Sequence, residues 1–265
     1  MATAVLDWLR ILVGREPPDT RYARLHRRMV RKACRLALRG EADWLSAVAV
    51  RGAPELDERV VELPWVYGKL AKRPGGRLLD VGSTLNTPFH IEQLRGRFAE
   101  IAFLNPYPDD GYRSAVPGVS YVPRDARDPG LLAASFGQVT CISTLEHVGC
   151  DNTLYGALPQ PAAGAAETNE ARAAAMRALR TLVAPGGSLL LTVPYGRYED
   201  HGWFVQLDAP SLDEAIEAFA PLASDVTYFL HDARWRRARA DECAAARYGE
   251  RTRGGSAVAC VELRV

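Results

Sequence analysis

Between Arg77 and Val193, short apolar runs alternate with helical stretches, and this constrains the chain more than any other feature. The runs are Arg77–Val81, Glu100–Leu104, Val119–Val122, Val139–Ser143 and Ser188–Val193. Helices fit between them at His90–Phe98, Leu131–Ala134 and Thr168–Leu182, the last Ala-rich and closed by Pro185-Gly186-Gly187. Strands that alternate with helices predict βαβ units and a parallel sheet covered on both faces, an α/β fold. After a further helix at Leu212–Phe219, the runs Asp225–Leu230 and Ala257–Val265 read as a hairpin-type pair parted by a long insertion.

The residues before this core read as helical. A short amphipathic helix is expected at Ala4–Val13, ended by Gly14 and Pro17-Pro18. A second runs from a cap at Asp19 or Thr20 to Leu38, with Gly40 as its stop. Arg21, Arg24, Arg27, Arg28, Arg31, Lys32, Arg35 and Arg39 make it densely basic, either as a solvated face or as a platform for an anionic substrate or membrane surface. A third piece at Glu41–Val50 is followed by Gly52 and Pro54, and then Leu63–Gly68 serves as an approach segment. Pro74-Gly75-Gly76 marks the boundary between a helical cap, 1–73, and a ligand-binding domain, 74–265. Ala157–Ala166 reads as a mobile loop.

Charge and cysteine usage narrow the function classes. With 33 basic and 32 acidic side chains the net charge is +1, so no global field draws in nucleic acid. The five cysteines, Cys34, Cys141, Cys150, Cys243 and Cys260, are scattered and form no CxxC pair, which disfavours a disulfide framework or a zinc site. Asp7 and Arg10 interrupt the first apolar stretch, so it reads neither as a signal peptide nor as a membrane span. A cytoplasmic location is expected.

In a doubly wound sheet, ligands bind at the carboxyl ends of the strands. At the first such end, Gly82 lets the backbone approach a ligand, and Asp80 is placed to hold a cationic amino group directly or through water. At the second, Asn105 either takes ribose hydroxyls or starts a turn with Pro106, while Pro106 and Tyr107 offer an apolar wall for a base. Asp125 at the third end is placed to accept from an exocyclic amino group. The fourth end, Ser143-Thr144-Leu145-Glu146-His147, carries an imidazole with an ordinary pKa of about 6.5, a natural general base or a hydrogen-bonded structural residue. Past the fifth, Tyr195 and His201 are further acid–base candidates, and Tyr198 or Trp203 either stacks on a ring or anchors the loop. Asp151, Asn152, Asp200 and Asp208 lack the dense pattern of a metal site, and none is expected.

The ordered segments LLDVGS, IAFLNPYP, YVPRDARD, ISTLEHVG and LVAPGGSLLLTVPYG resemble the successive motifs of class I S-adenosylmethionine (SAM)-dependent methyltransferases. STLEHVG is similar to the fourth-strand motif of bacterial small-molecule and sugar-type members. The resemblance implies a Rossmann-like, mostly parallel seven-stranded sheet with flanking helices and a helical N-terminal appendage. It implies that Asp80, Gly82 and Ser83 hold the methionine end of SAM, Asn105 the ribose, and Asp125 with Ala126 the adenine. Ser143, Thr144 and Glu146 would line the methyl-transfer end, with His147 as base. The activity implied is O- or N-methylation of a small polar acceptor, such as a saccharide or secondary metabolite; no nucleic acid and no stable membrane insertion are expected, and the sequence leaves a homodimer open. Cyclisation or elimination from the sulfonium, or a non-catalytic partner role, are the alternatives. Thr84 and Asn86 replace the family's second and third glycines, Asn105 its ribose acid, and Gly137-Gln138 the acid before its fourth strand.

Overall fold

Leu78 and Leu79 adjoin in sequence and belong to different cores, because side chains alternate between the two faces of a strand. They lie in strand β1 (Arg77–Val81), within a computed structural model that describes residues 21–48, 56–107, 116–158 and 164–265. The helix expected at Ala4–Val13, its neighbouring cap residues and the middle of the Ala157–Ala166 loop lie outside the described residues.

Three helices precede β1: α1 (Arg21–Leu38), α2 (Trp44–Val48) and α3 (Arg59–Ala71). After it come α4 (Pro88–Leu94), β2 (Glu100–Leu104), β3 (Val119–Val122), β4 (Phe136–Ile142), α5 (Ala165–Leu182) and β5 (Val183–Pro194). The chain ends with β6 (Glu199–Asp200), β7 (Val205–Gln206), α6 (Ala209–Phe219), β8 (Ala223–Asp232), β9 (Arg234–Ala238), α7 (Ala240–Cys243) and β10 (Ala257–Arg264).

Eight strands form one sheet in the order β3-β2-β1-β4-β5-β10-β8-β9. The first five in that order are mutually parallel, and β10 runs antiparallel to both β5 and β8. A parallel sheet that reverses its winding between β1 and β4 and closes with one antiparallel strand has the class I methyltransferase fold. The eighth strand, β9, extends the expected seven by a hairpin from β8. One face of the sheet carries α1 to α4 over Leu78, Ile101, Leu190 and Val258; the other carries α5 and α6 over Leu79, Val139, Leu189 and Val261. The first core runs without a break from the N-terminal helices into the sheet. Among the described residues, no helix is long and apolar enough to cross a membrane.

Two local expectations need correction. The segment Leu63–Gly68 is the interior of α3, in spite of Pro64. Proline inside a helix removes a hydrogen bond at a cost of ~3 kcal/mol, and the nine buried residues of α3 offset it. Conversely, Leu131–Ala134 forms a turn, with Ala134 at φ 51°. Four residues barely nucleate a helix, and Leu132 is 78% exposed, so there is no buried face to repay nucleation. On α1, Tyr22, Val30, Ala33, Cys34 and Ala37 face the core, leaving Arg28, Arg31, Lys32 and Arg35 outward.

The buried Trp235 of β9 donates its indole N–H to the Leu56 carbonyl at 2.9 Å, tying the added strand to the chain entering α3. Replacing Trp235 with Phe leaves that carbonyl without its donor and is expected to lower stability by about 1–3 kcal/mol. A urea midpoint shift in equilibrium unfolding measures this.

Candidate functional site

Strand winding reverses between β1 and β4, and a doubly wound sheet opens a crevice at such a point. The turn after β1 is built on two left-handed residues, Gly82 at φ 89° and Ser83 at φ 59°. A β-carbon on Gly82 would meet Thr144 Oγ1 at 2.1 Å, so the glycine is needed because the β4 loop lies directly upon it. Thr144 Oγ1 is within hydrogen-bond distance of the Ile142 carbonyl at 2.9 Å and the Val81 carbonyl at 3.3 Å. Thr84 Oγ1 donates to the same Ile142 carbonyl at 3.0 Å. The two threonines thus stitch the β1 and β4 loops together.

Asp80 is 0% exposed. Its Oδ2 accepts from the Leu85 amide at 2.7 Å and its Oδ1 from Thr140 Oγ1 at 2.7 Å. Asp80 thereby braces the turn from beneath. Ser83 behaves differently. Its hydroxyl is buried without a hydrogen-bond partner, an atom that a bound polar ligand at this turn would satisfy.

Around Tyr107 the β2 and β3 ends meet. Asn105 Oδ1 accepts from the Tyr107 amide at 3.4 Å, and Pro106 is exposed beside it. Burial first, and then the Asp125 carboxylate, raise the Tyr107 hydroxyl's pKa, while Arg127 and Asn152 oppose the rise. Asp125 itself is clasped by Arg127, which donates Nε to Oδ1 at 2.9 Å and Nη2 to Oδ2 at 2.7 Å. Ala126 is buried next to it. Asn105, Asp125 and Ala126 therefore lie together just past the paired ends of β2 and β3.

The opposite side rests on α3. The Glu62 carboxylate is fully buried and accepts from Ser143 Oγ at 2.5 Å, Thr192 Oγ1 at 2.8 Å and Arg59 Nη1 at 3.2 Å. Arg59 also reaches the Ile142 carbonyl at 3.5 Å. Glu58 accepts from the Gly255 amide at 2.7 Å, and the loop passes so close that a β-carbon on Gly254 would lie 1.8 Å from its Oε2. Burial, then the Asp57 and Glu62 carboxylates, push Glu58 up from an ordinary 4.5 to about 8. Glu146, 2% exposed, has an Oε2 with no hydrogen-bond partner, and burial holds its carboxyl well above the usual carboxylate range. This acid-rich wall is absent from the sequence reading. Its signal is the Asp57-Glu58-Arg59-x-x-Glu62 run, charges leading straight into an apolar segment.

His147 sits half-buried in a ring of aromatics: Tyr155 and Trp203 at 5.3 Å and Phe204 at 5.9 Å between centroids. Its Nδ1 is 2.9 Å from the Trp203 carbonyl. A carbonyl only accepts, so the neutral ring carries its proton on Nδ1 and leaves the Nε2 lone pair available. Burial lowers its pKa to about 4, which keeps the ring neutral around pH 7. His201 stacks on the far face of this cluster, 4.4 Å from Phe204, with Glu199 Oε2 3.7 Å from its Nε2. Tyr195 is not part of the group. It is 2% exposed, packs on Tyr228 at 4.9 Å and belongs to the core under α6, which removes it from acid–base work at the strand ends.

Among the described residues, no group of three or more His, Cys, Asp or Glu side chains could hold a metal ion. No protein-family model matches the chain, and no curated protein matches it. Similar solved structures include the N-methyltransferase NodS from Bradyrhizobium japonicum WM9 in complex with S-adenosyl-L-homocysteine, at 13% identity, 97% of this chain, 95% of that chain and TM-score 0.45. A 1,6-didemethyltoxoflavin-N1-methyltransferase from Burkholderia thailandensis matches at 12% identity over 76% of each chain, TM-score 0.46. An S-adenosylmethionine-dependent methyltransferase from Mesorhizobium loti matches at 13% identity over 77% of this chain and 97% of that chain, TM-score 0.46.

Two outcomes follow from the site's construction. Gly82→Ala is expected to destabilise by roughly 2–4 kcal/mol, through overpacking and a left-handed backbone. Adding Thr144→Gly removes the clash, so a double-mutant cycle in urea should show strong non-additivity. For Glu58, the native state holds a proton between about pH 4.5 and 8 that the unfolded chain releases, so stability falls as pH rises through that window. Glu58→Gln should reduce this fall, on the order of a few kcal/mol, when urea midpoints at pH 5.5 and 8.5 are compared. A residual slope from Glu146 should remain.

Proposed function

We propose that the protein is a SAM-dependent methyltransferase acting on a small polar molecule in the cytoplasm. The observation that carries this reading is the crevice at the β1/β4 switch point, where a left-handed Gly82-Ser83 turn leaves the Ser83 hydroxyl buried and unanswered. In this reading Gly82 and Ser83 hold the methionine end, Asn105 the ribose, and Asp125 with Ala126 the adenine. Ser143, Thr144 and Glu146 line the end where the methyl group is passed. When bound, the sulfonium supplies an electrophilic methyl.

The remaining work falls to the chain's own residues. Positioning dominates, because an in-line displacement needs the nucleophile, the methyl carbon and the sulfur aligned. Helix α3 and the Tyr155, Trp203 and Phe204 rings exclude water from the β4 end. His147 Nε2 is the atom assigned to take the acceptor's proton, with the Trp203 carbonyl holding the ring in the required tautomer. His201 stands behind it, across Phe204. Helices α1 to α3 serve as the cap on this side.

Isothermal titration calorimetry with SAM and S-adenosylhomocysteine tests the reading. Micromolar binding of either is expected, weakened about 5–10-fold by Ser83→Ala through loss of one hydrogen bond. Binding of neither would reject the proposal in favour of a protein that keeps the fold without the chemistry. Given an acceptor, His147→Ala should cut turnover while leaving SAM binding intact; methylthioadenosine as the product would instead mark cyclisation or elimination.

A further inference from the structure

Helix α1 carries a face of a single charge sign. Its sequence holds no carboxylate, and Arg24, Arg28, Arg31, Lys32 and Arg35 are all exposed. At about 3.6 residues per turn these five side chains fall within an arc of roughly 100°. Like charges spaced four apart, as in Arg28 with Lys32 and Arg31 with Arg35, destabilise a helix, so the face is costly to keep without an anion. Helix α4 fixes part of it. The Arg31 and Arg35 guanidinium carbons each lie 5.3 Å from the centroid of the Phe89 ring.

This face ends in an open pocket of about 350 Å³ lined by Arg35, Leu38, Arg39, Glu92, Gln93 and Arg97. Arginines at helix ends ordinarily cap carbonyls, but here the backbone does most of that work. Gly40, at φ 77°, closes α1, and the Arg39, Gly40 and Glu41 amides take the Leu36 and Ala37 carbonyls. The Arg95, Arg97 and Phe98 amides likewise take the Ile91 and Leu94 carbonyls of α4. The Leu38 carbonyl draws on Arg97 Nη2, at 3.5 Å. Among the described residues, Arg35 and Arg97 make no ion pair, and Arg39 makes an exposed one with Glu41 at 3.8 Å. Three guanidiniums thus stand against one carboxylate, Glu92, in the lining, and Arg97 is half-buried. An anion entering the pocket meets N–H donors that are not yet committed, with the Gln93 amide beside them. A phosphoryl group presents three oxygens to three guanidinium forks, where a carboxylate presents two.

The pocket is not part of the crevice. The Gly75 amide donates to the Arg97 carbonyl at 2.7 Å just before β1, which sets the pocket at the amino ends of the strands, whereas the crevice lies at their carboxyl ends. We propose that it is a second binding site, taking a phosphate-bearing anion on Arg35, Arg39 and Arg97, independent of the methyltransferase reading. Inorganic diphosphate and citrate, a tricarboxylate of comparable charge, are titrated into the full chain by isothermal calorimetry at pH 7.5. Diphosphate should bind at one site, at least about tenfold more tightly than citrate. Arg35→Gln and Arg97→Gln should each weaken it at least about tenfold, through loss of a charge-assisted contact. Arg28→Gln, about 10 Å along the helix from Arg35, should weaken it less than about twofold. Arg35 is exposed, so its replacement leaves the fold intact and keeps the test decisive should Arg97→Gln fail to fold. No binding of diphosphate, equal binding of citrate, or the same loss from Arg28→Gln as from Arg35→Gln would overturn the proposal. Where diphosphate binds as expected, co-sedimentation with vesicles of equal parts phosphatidylglycerol and phosphatidylcholine identifies the source of the phosphate. Sedimentation that diphosphate displaces makes it a lipid headgroup; no sedimentation, or sedimentation that diphosphate leaves unchanged, makes it a soluble phosphate compound.

Discussion

The Glu62 carboxylate is the buried charge around which the site is arranged. A carboxylate withdrawn from water is tolerable only when donors surround it closely. Here the donors come from three places: Arg59 on the same helix, Ser143 just past β4, and Thr192 within β5. Thr192 is engaged twice, since its hydroxyl also accepts from the Ser143 amide at 3.1 Å. Helix α3 is thereby registered against the ends of two strands. A slip of one turn would strand the charge, so packing of apolar residues alone need not define where the helix sits.

The shape of the β4 loop follows from that node. Ser143 adopts φ 39°, in the left-handed region that non-glycine residues avoid, and its hydroxyl and amide are both held while it does so. The turn delivers Thr144 onto Gly82 and starts the short 3-10 helix Leu145–His147, which carries Glu146 inward and His147 toward the aromatic loop. One buried carboxylate on α3 therefore governs three strand-end features: the closeness of the β1 and β4 loops, the burial of Glu146 and the tautomer-fixing bond of His147.

The sheet was legible in the sequence because its strands are short and bounded. Arg77–Val81, Glu100–Leu104 and Val119–Val122 are read to the residue, since each is closed by Gly, Asn-Pro or Pro. Helix α3 was hidden by Pro64, whose local penalty is overcome only by contacts with α1 and the sheet that no local window contains. Tyr195 misled for a related reason. Its place after a strand is right for the crevice, but the β-bridge of Tyr195 with Leu207 and its packing on Tyr228 set it in the core instead. The acid-rich wall was the least legible part. Asp57, Glu58 and Glu62 lie well before the first strand, and the pairing of α3 with residues near 143 and 192 is a property of the fold, invisible in the spacing.

Thr84 in the β1 turn and Thr144 in the facing β4 loop have a joint chemical consequence. Glycine at such a turn leaves strand-end carbonyls and amides open to a ligand, whereas Thr84 and Thr144 turn their hydroxyls onto the Val81 and Ile142 carbonyls. The strand ends are thus largely satisfied from within the protein. Ser83 Oγ on the β1 side and Glu146 Oε2 on the β4 side remain buried without partners. Unmet hydrogen-bonding capacity marks where binding free energy can be gained. Among the described residues at the switch point, the Ser83 hydroxyl and the Glu146 carboxyl carry it, which is a narrower demand on any ligand than the fold alone imposes.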